Sequence, residues 1–182
     1  AEPKSCPCFG LKCYISMRKK ILIIGHARHG KDTAAQFLKD LYGYEFKSSS
    51  QAASEIFLYD RLKVKYGYKT PEECFEDRVN HRAEWHDLIC DFNKDDHAKL
   101  AKAIMSTNDI YVGMRSNREA ESCIEQGVFD LVLGVFNPMH PLEPRDSFDI
   151  DLWQKSDLIL SNSGTLADME QKIENLSTLF EK

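Results

Sequence analysis

The 182-residue chain is predicted to be α/β: three layers, with a parallel five-stranded sheet, helices on both faces and a helical insertion between strands 2 and 3. Three observations predict this. Short apolar runs at 21–24, 109–113, 130–136 and 158–160 alternate with longer segments of helical periodicity. The first run passes straight into a glycine-bounded loop and then a helical pattern. Residues 51–105, between the second short strand and the third, hold only helical patterns.

Taken in order, Ile21–Ile24 reads as a fully buried strand ending at Gly25. From Gly30 to Leu41 the apolar residues Ala34, Ala35, Phe37, Leu38 and Leu41 recur at helical spacing, with Gly43 as the stop. A short strand is predicted at 44–47. Helices are predicted at 51–66, 70–78, 80–92 and 95–105, Thr70-Pro71-Glu72-Glu73 being a cap with proline in the first turn. The runs 109–113 and 130–136 are central strands, separated by a helix over 117–126 closed by Gly127. Residues 137–144 contain Pro138, Pro141 and Pro144 and are predicted to be a loop long enough to act as a flap. A last strand at 158–160, a turn at 162–164 and an amphipathic helix over 165–180 complete the chain.

Composition limits the functions available. With 42% apolar residues, 10% aromatics, 9 Gly and 6 Pro, the chain can bury one core. Its net charge of -5, from 24 basic and 29 acidic residues, disfavours a non-specific coat on nucleic acid but leaves room for a local basic pocket. No apolar run approaches the roughly 18 residues that span a membrane, and the first twenty residues lack the apolar core of a secretory signal. The expectation is a cytoplasmic protein with no membrane partner, in which Cys74, Cys90 and Cys123 are reduced thiols. Cys6, Cys8 and Cys13 can supply three thiolates to zinc, but no fourth ligand accompanies them. Because Met17 before Arg18-Lys19-Lys20 looks like a natural start, residues 1–16 are expected to be an irregular, dispensable extension and 17–182 a single domain. His81, His86, His97 and His140 show no metal-binding spacing and are assigned structural roles.

The segment Gly25-His26-Ala27-Arg28-His29-Gly30-Lys31-Asp32-Thr33 has the spacing G-x4-G-K followed by a carboxylate and a hydroxyl. Between a buried strand and an amphipathic helix, this spacing marks a phosphate-binding loop. The glycines let several backbone N–H groups turn toward one anion, the helix start adds partial positive charge, and Lys31 reaches the outer phosphates. The nucleotide implied is ATP with magnesium. Asp32 stands where Ser or Thr ordinarily holds the metal, so Asp32 and Thr33 are the candidate magnesium ligands, Asp32 being also a candidate base or a helix cap.

Gly30-Lys31-Asp32-Thr33 resembles the G-K-D-[TV] loop of phage-type deoxynucleoside monophosphate kinases and of phosphomevalonate kinase, within the nucleoside monophosphate kinase superfamily of P-loop phosphotransferases. Gly113-Met114-Arg115 followed by Asn117-Arg118-Glu119-Ala120-Glu121 is similar to that group's D-x-R strand end and N-E-A helix start. Asn162-Ser163-Gly164-Thr165-Leu166 with Asp168 resembles its N-x-G-[ST]-L-x-D-L turn near the nucleotide base. The resemblance implies a P-loop kinase fold, ATP binding by Gly25 to Thr33 with Asn162 and Gly164, and Arg115 on the acceptor's phosphate. The group's strand-3 aspartate is Gly113 here, which leaves Asp32 or Asp109 as acidic substitutes.

On the acceptor side, Arg78 and Arg82 share one predicted helical face that Trp85 continues, suited to a phosphate and a base or equally to a solvated face. Arg145, just past the prolines, is a candidate lid arginine over the donor phosphates. Lys47 and Ser48 lie where kinases of this build meet the acceptor. The expected activity is ATP-dependent phosphoryl transfer to a deoxynucleoside monophosphate, with Lys31, Asp32 and Arg115 as catalytic residues and a homodimer admissible. One alternative is a hydroxyl acceptor, as in phage kinases of 5-hydroxymethyluridine in DNA. There a channel of Arg78, Arg82, Arg115, Arg118 and Arg145 would hold the DNA. A non-catalytic nucleotide-binding module is the third.

Overall fold

The structure, a computed structural model, describes residues 18–180. The predicted extension over 1–16 with Cys6, Cys8 and Cys13 lies outside the described residues.

Five parallel strands form one sheet in the order β2-β3-β1-β4-β5: β1 Ile21–Ile24, β2 Phe46–Ser48, β3 Ile110–Val112, β4 Leu131–Phe136 and β5 Leu158–Ser161. The predicted α/β class is the observed one. β1 is central, with Ile23 opposite Val112 on one side and Leu133 on the other. All four residues of β1 are fully buried, because helices cover both faces and a strand at the centre has no solvent side.

Alternation along the strands divides the interior in two. Ile21, Ile23, Ile110, Val112, Leu133 and Val135 pack with Ala34, Ala35 and Leu38 of α1 (Lys31–Tyr42) and with Met169 and Ile173 of α9 (Leu166–Glu174). Leu22, Ile24, Tyr111 and Val132 face the helical insertion. That insertion comprises α2 (Ser49–Ala53), a π-helical segment Ser54–Leu58, α3 (Tyr59–Tyr66), α4 (Pro71–Asp77), α5 (Arg82–Phe92) and α6 (Lys99–Met105). It lies between β2 and β3, as predicted. α7 (Asn117–Glu125) connects β3 to β4.

Several boundaries differ from the sequence reading, each for a local reason. The first insertion helix starts at Ser49 because the Ser48 hydroxyl accepts the Gln51 N–H, and a π-helical segment interrupts it. The helix predicted over 80–92 starts at Arg82: a 3-10 turn at Arg78–Asn80 precedes it, and His81, at φ -129° and ψ 29°, is not helical. The final helix is broken after Glu174 and resumes as α10 (Ser177–Phe180). α8 (Leu152–Lys155) was not predicted, although Asp151 caps it by accepting from the Trp153 and Gln154 N–H groups. Thr70 caps α4 as expected, its hydroxyl accepting from the Glu73 N–H.

No helix of the described residues is long and apolar enough to cross a membrane.

Candidate active site around the loop after the first strand

β1 feeds directly into residues 25–30, and α1 begins at Lys31. Gly30 turns the chain into the helix at φ +99°, and a Cβ there would lie 2.4 Å from Asn162 Nδ2. The same Asn162 Nδ2 donates to the His29 carbonyl at 3.0 Å, so the segment after β5 holds the loop in its curl. His29 is fully buried. Lys31 is 9% exposed, and its ammonium donates to the His26 carbonyl at 2.7 Å, closing the loop on itself. Burial lowers the Lys31 pKa from the usual lysine value, with Arg115 adding to that effect and Asp32 and Glu143 opposing it. Asp32 sits exposed on the first turn of α1, where a carboxylate suits the helix dipole, with Thr33 beside it.

The proline-rich segment after β4 folds over this loop and is bonded to it at several points. His29 Nδ1 accepts the Asn137 N–H at 3.1 Å, and its Nε2 faces the Pro141 carbonyl at 3.4 Å. His26 Nδ1 accepts the Glu143 N–H at 3.0 Å, and the His26 ring packs on Phe148 with centroids 4.4 Å apart. An imidazole that accepts at Nδ1 must be neutral with its proton on Nε2. The pKa values of both rings are accordingly lowered, for each mainly by burial.

Glu143 completes the arrangement. One carboxylate oxygen accepts the Ala27 N–H at 2.6 Å; the other accepts from the Arg115 guanidinium at 2.6 Å. Arg115 also donates to the Ser147 carbonyl at 3.3 Å. Burial pushes the Glu143 pKa up, but the Arg115 and Ala27 hydrogen bonds outweigh it and hold the group below the ordinary carboxylate value.

The structure therefore brings together Gly25, His26, Ala27, Arg28, His29, Gly30, Lys31, Asp32, Thr33, Arg115 and Asn162. Arg28 is exposed and takes the left-handed conformation, φ 64°, within the loop. Gly164 belongs to the turn before α9, packed against Asp168, which forms a capping box with Thr165. Arg145 and Arg118 are exposed on the flap and on α7. Lys47 is paired with Glu55, and Ser48 caps α2.

Two expectations are corrected. Arg78, Arg82 and Trp85 do not form one helical face, because the break at His81 separates the first from the others. The Arg78 guanidinium instead lies 3.9 Å over the Phe75 ring and donates to the Phe75 carbonyl, Arg82 is exposed, and Trp85 is buried in the insertion's core at 4% exposure. Asp109 is no substitute for the absent strand-3 carboxylate. It precedes β3 and so lies at the sheet edge opposite the loop, against Arg18 and Lys20.

Gly113 itself takes φ +96°, and a Cβ would meet Ser49 Oγ at 3.3 Å, so an aspartate at this position would be strained and crowded.

Glu143 and Glu119 escaped the sequence reading as functional groups. Glu119 accepts from the Tyr111 hydroxyl at 3.1 Å beneath the strand end, and burial pushes its pKa up to about 7. A carboxylate between Leu142 and Pro144 was the available signal for Glu143, but no spacing rule tied it to the loop.

The donors fit a polyphosphate. A glycine-hinged backbone, a buried lysine and an N–H already satisfied by a carboxylate together make an anion cradle, and the oxygen donors Asp32 and Thr33 suit a hard cation such as magnesium.

No protein-family model and no curated protein matches the chain. Among solved structures, dephospho-CoA kinase from Campylobacter jejuni superposes with a TM-score of 0.51 at 14% identity, over 88% of this chain and 96% of that one. The chain shares that fold, a five-stranded parallel sheet with helices on both faces. At that identity the likeness shows the fold and not the substrate. Shikimate kinase from Aquifex aeolicus (TM-score 0.45, 15% identity, 87% of this chain and 94% of that one) and the protein TT1252 from Thermus thermophilus (0.48, 16%, 89% and 97%) are weaker likenesses.

Proposed function

We propose that the chain is an ATP-dependent phosphotransferase. The observation that carries this reading is the convergence of the Ala27 N–H and the Arg115 guanidinium on one carboxylate, each at 2.6 Å, beside a buried lysine. The Ala27 N–H and the Lys31 ammonium suit the terminal phosphoryl of a nucleotide, with Arg115 beside them. ATP supplies the phosphoryl group and magnesium the neutralising charge, with Asp32 and Thr33 holding the metal. Lys31 and the loop amides stabilise charge on the transferring oxygens, Asn162 keeps the loop curled through the His29 carbonyl, and the flap with Arg145 excludes water.

Two acceptors fit this frame. The resemblance to deoxynucleoside monophosphate kinases implies a phosphate acceptor anchored by Arg115, with Lys47, Ser48 and Arg118 as further candidate contacts. The alternative is a hydroxyl, such as that of 5-hydroxymethyluridine in DNA. The Arg115–Glu143 pair favours the hydroxyl: the guanidinium expected to anchor an acceptor phosphate is already matched by a carboxylate, and Lys47 is likewise matched by Glu55. A hydroxyl acceptor, by contrast, calls for a carboxylate in the cleft.

The test is incubation with labelled ATP and magnesium beside two acceptor sets, free deoxynucleoside monophosphates and DNA containing 5-hydroxymethyluridine. Label in the DNA is the expected result. Label only in the free nucleotides overturns the hydroxyl reading, and label in neither overturns both.

A further inference from the structure

A hydroxyl that attacks phosphorus loses its proton, and the site must offer that proton an acceptor. The carboxylates near the loop are mostly committed elsewhere. Asp149 accepts the Asn117 N–H at 2.5 Å, at the start of α7. Glu55 is paired with Lys47, and Glu119 is turned to Tyr111 beneath β3. Asp32 is exposed on the helix that follows the loop. Glu143 differs from all of these, since it bonds at once to a loop amide and to Arg115.

Its backbone is held independently of its carboxylate. The Glu143 N–H is held by His26 Nδ1 at 3.0 Å, so the residue stays on the loop even when its carboxylate moves. A polyphosphate and a carboxylate compete for the Ala27 N–H, and the more highly charged phosphoryl oxygen wins it. One Glu143 oxygen is then released while the other keeps Arg115. An attacking hydroxyl must arrive in line with the phosphate chain, on the side of its terminal phosphorus.

We propose that Glu143 is the proton acceptor for the hydroxyl that attacks the terminal phosphoryl of ATP, an assignment that rests on the hydroxyl-acceptor reading above. The hydroxyl oxygen bonds to the terminal phosphorus as the bond from that phosphorus to the β,γ-bridging oxygen breaks. The electron pair of the broken bond leaves on ADP. The hydroxyl proton passes to the released Glu143 oxygen and from there to solvent. Arg115 positions the carboxylate through the oxygen it retains.

Glu143→Gln tests this, because the amide keeps the size of the side chain and its oxygen can still accept one of the two hydrogen bonds, from Ala27 or from Arg115, while neither end of the amide takes up the hydroxyl proton. The turnover number for 5-hydroxymethyluridine DNA is expected to fall about 100-fold or more, the scale of a lost general base. Affinity for a non-hydrolysable ATP analogue, measured by calorimetry, should stay equal or become tighter. Glu143→Asp, which restores a carboxylate, should recover at least about tenfold over Glu143→Gln. A Gln variant within about threefold of wild-type turnover overturns the assignment. So does a Gln variant that no longer binds the analogue, which would make the contact a structural fastening. Failure of the acceptor reading is seen separately, in the wild-type protein, as label on free nucleotides and none on DNA.

Discussion

Asn162 Nδ2 donates to the His29 carbonyl at 3.0 Å, tying the segment after the last strand to the loop after the first. The same nitrogen leaves no space for a side chain on Gly30. Loop conformation and the carboxyl-terminal part of the fold are therefore one unit. Asn162→Ala removes the hydrogen bond, and a loss of about 1 kcal/mol in nucleotide affinity is expected. Gly30→Ala places a methyl group in contact with Asn162 at a left-handed backbone position and should cost more. Calorimetric titration with an ATP analogue orders the two; equal affinity in all three proteins would contradict the linkage.

Lys31→Ala should reduce phosphoryl transfer by about 10²-fold or more, the scale of removing one preorganised charge-stabilising group. The measurement is single-turnover transfer from labelled ATP, with circular dichroism showing that the fold survives. Activity within tenfold of wild type would remove the lysine from the transition state.

His26 and His29 predict how the flap responds to acid. Each accepts a flap N–H on Nδ1 as a neutral ring, and burial first of all holds each pKa below 6.5; for His26 the neighbouring His29 adds to that effect. In the unfolded chain both rings protonate as the pH drops past 6.5, before they do so in the folded state. The stability these contacts supply is thus present above 6.5 and declines as pH falls from there toward the lowered folded values. Melting temperature against pH for wild type and His26→Gln checks this; the wild-type curve should fall more steeply on the acid side.

Glu119 has the opposite sign. Its folded pKa of about 7 lies above the ordinary 4.5, so stability is full below 4.5 and is lost as pH rises toward 7. A shift of this size corresponds to about 3 kcal/mol, and because Glu119 keeps partial contact with solvent, about 1–2 kcal/mol is expected. Glu119→Gln should be more stable than wild type at about pH 8 and lose that advantage at about pH 4, as read by urea denaturation.

How legible the molecule was depended on the range of the interactions involved. β1, the loop and α1 were readable because their signals are contiguous: an unbroken aliphatic run, two glycines at fixed spacing and an apolar stripe closed by Gly43. Thr70 announced its helix for the same reason. The break at His81 and the π-helical segment at Ser54–Leu58 were not readable, since packing within the insertion decides them. Glu143 lies 116 residues from the amide it touches, and no periodicity spans such a gap. Asp109 was misjudged although the sequence held the answer. A residue that precedes a parallel strand lies at the edge opposite the loops that follow the strands.

The strand order carries a consequence for synthesis. β1 reaches its neighbours only through residues 110–112 and 131–134, so most of the chain must leave the ribosome before the first strand has a partner on either side. A nascent chain halted before its fourth strand carries every residue of the loop but only β3 beside β1, and neither Glu143 nor Asn162 to hold the curl. The contacts that hold the loop, from Asn137, Glu143 and Asn162, thus become available only late in translation.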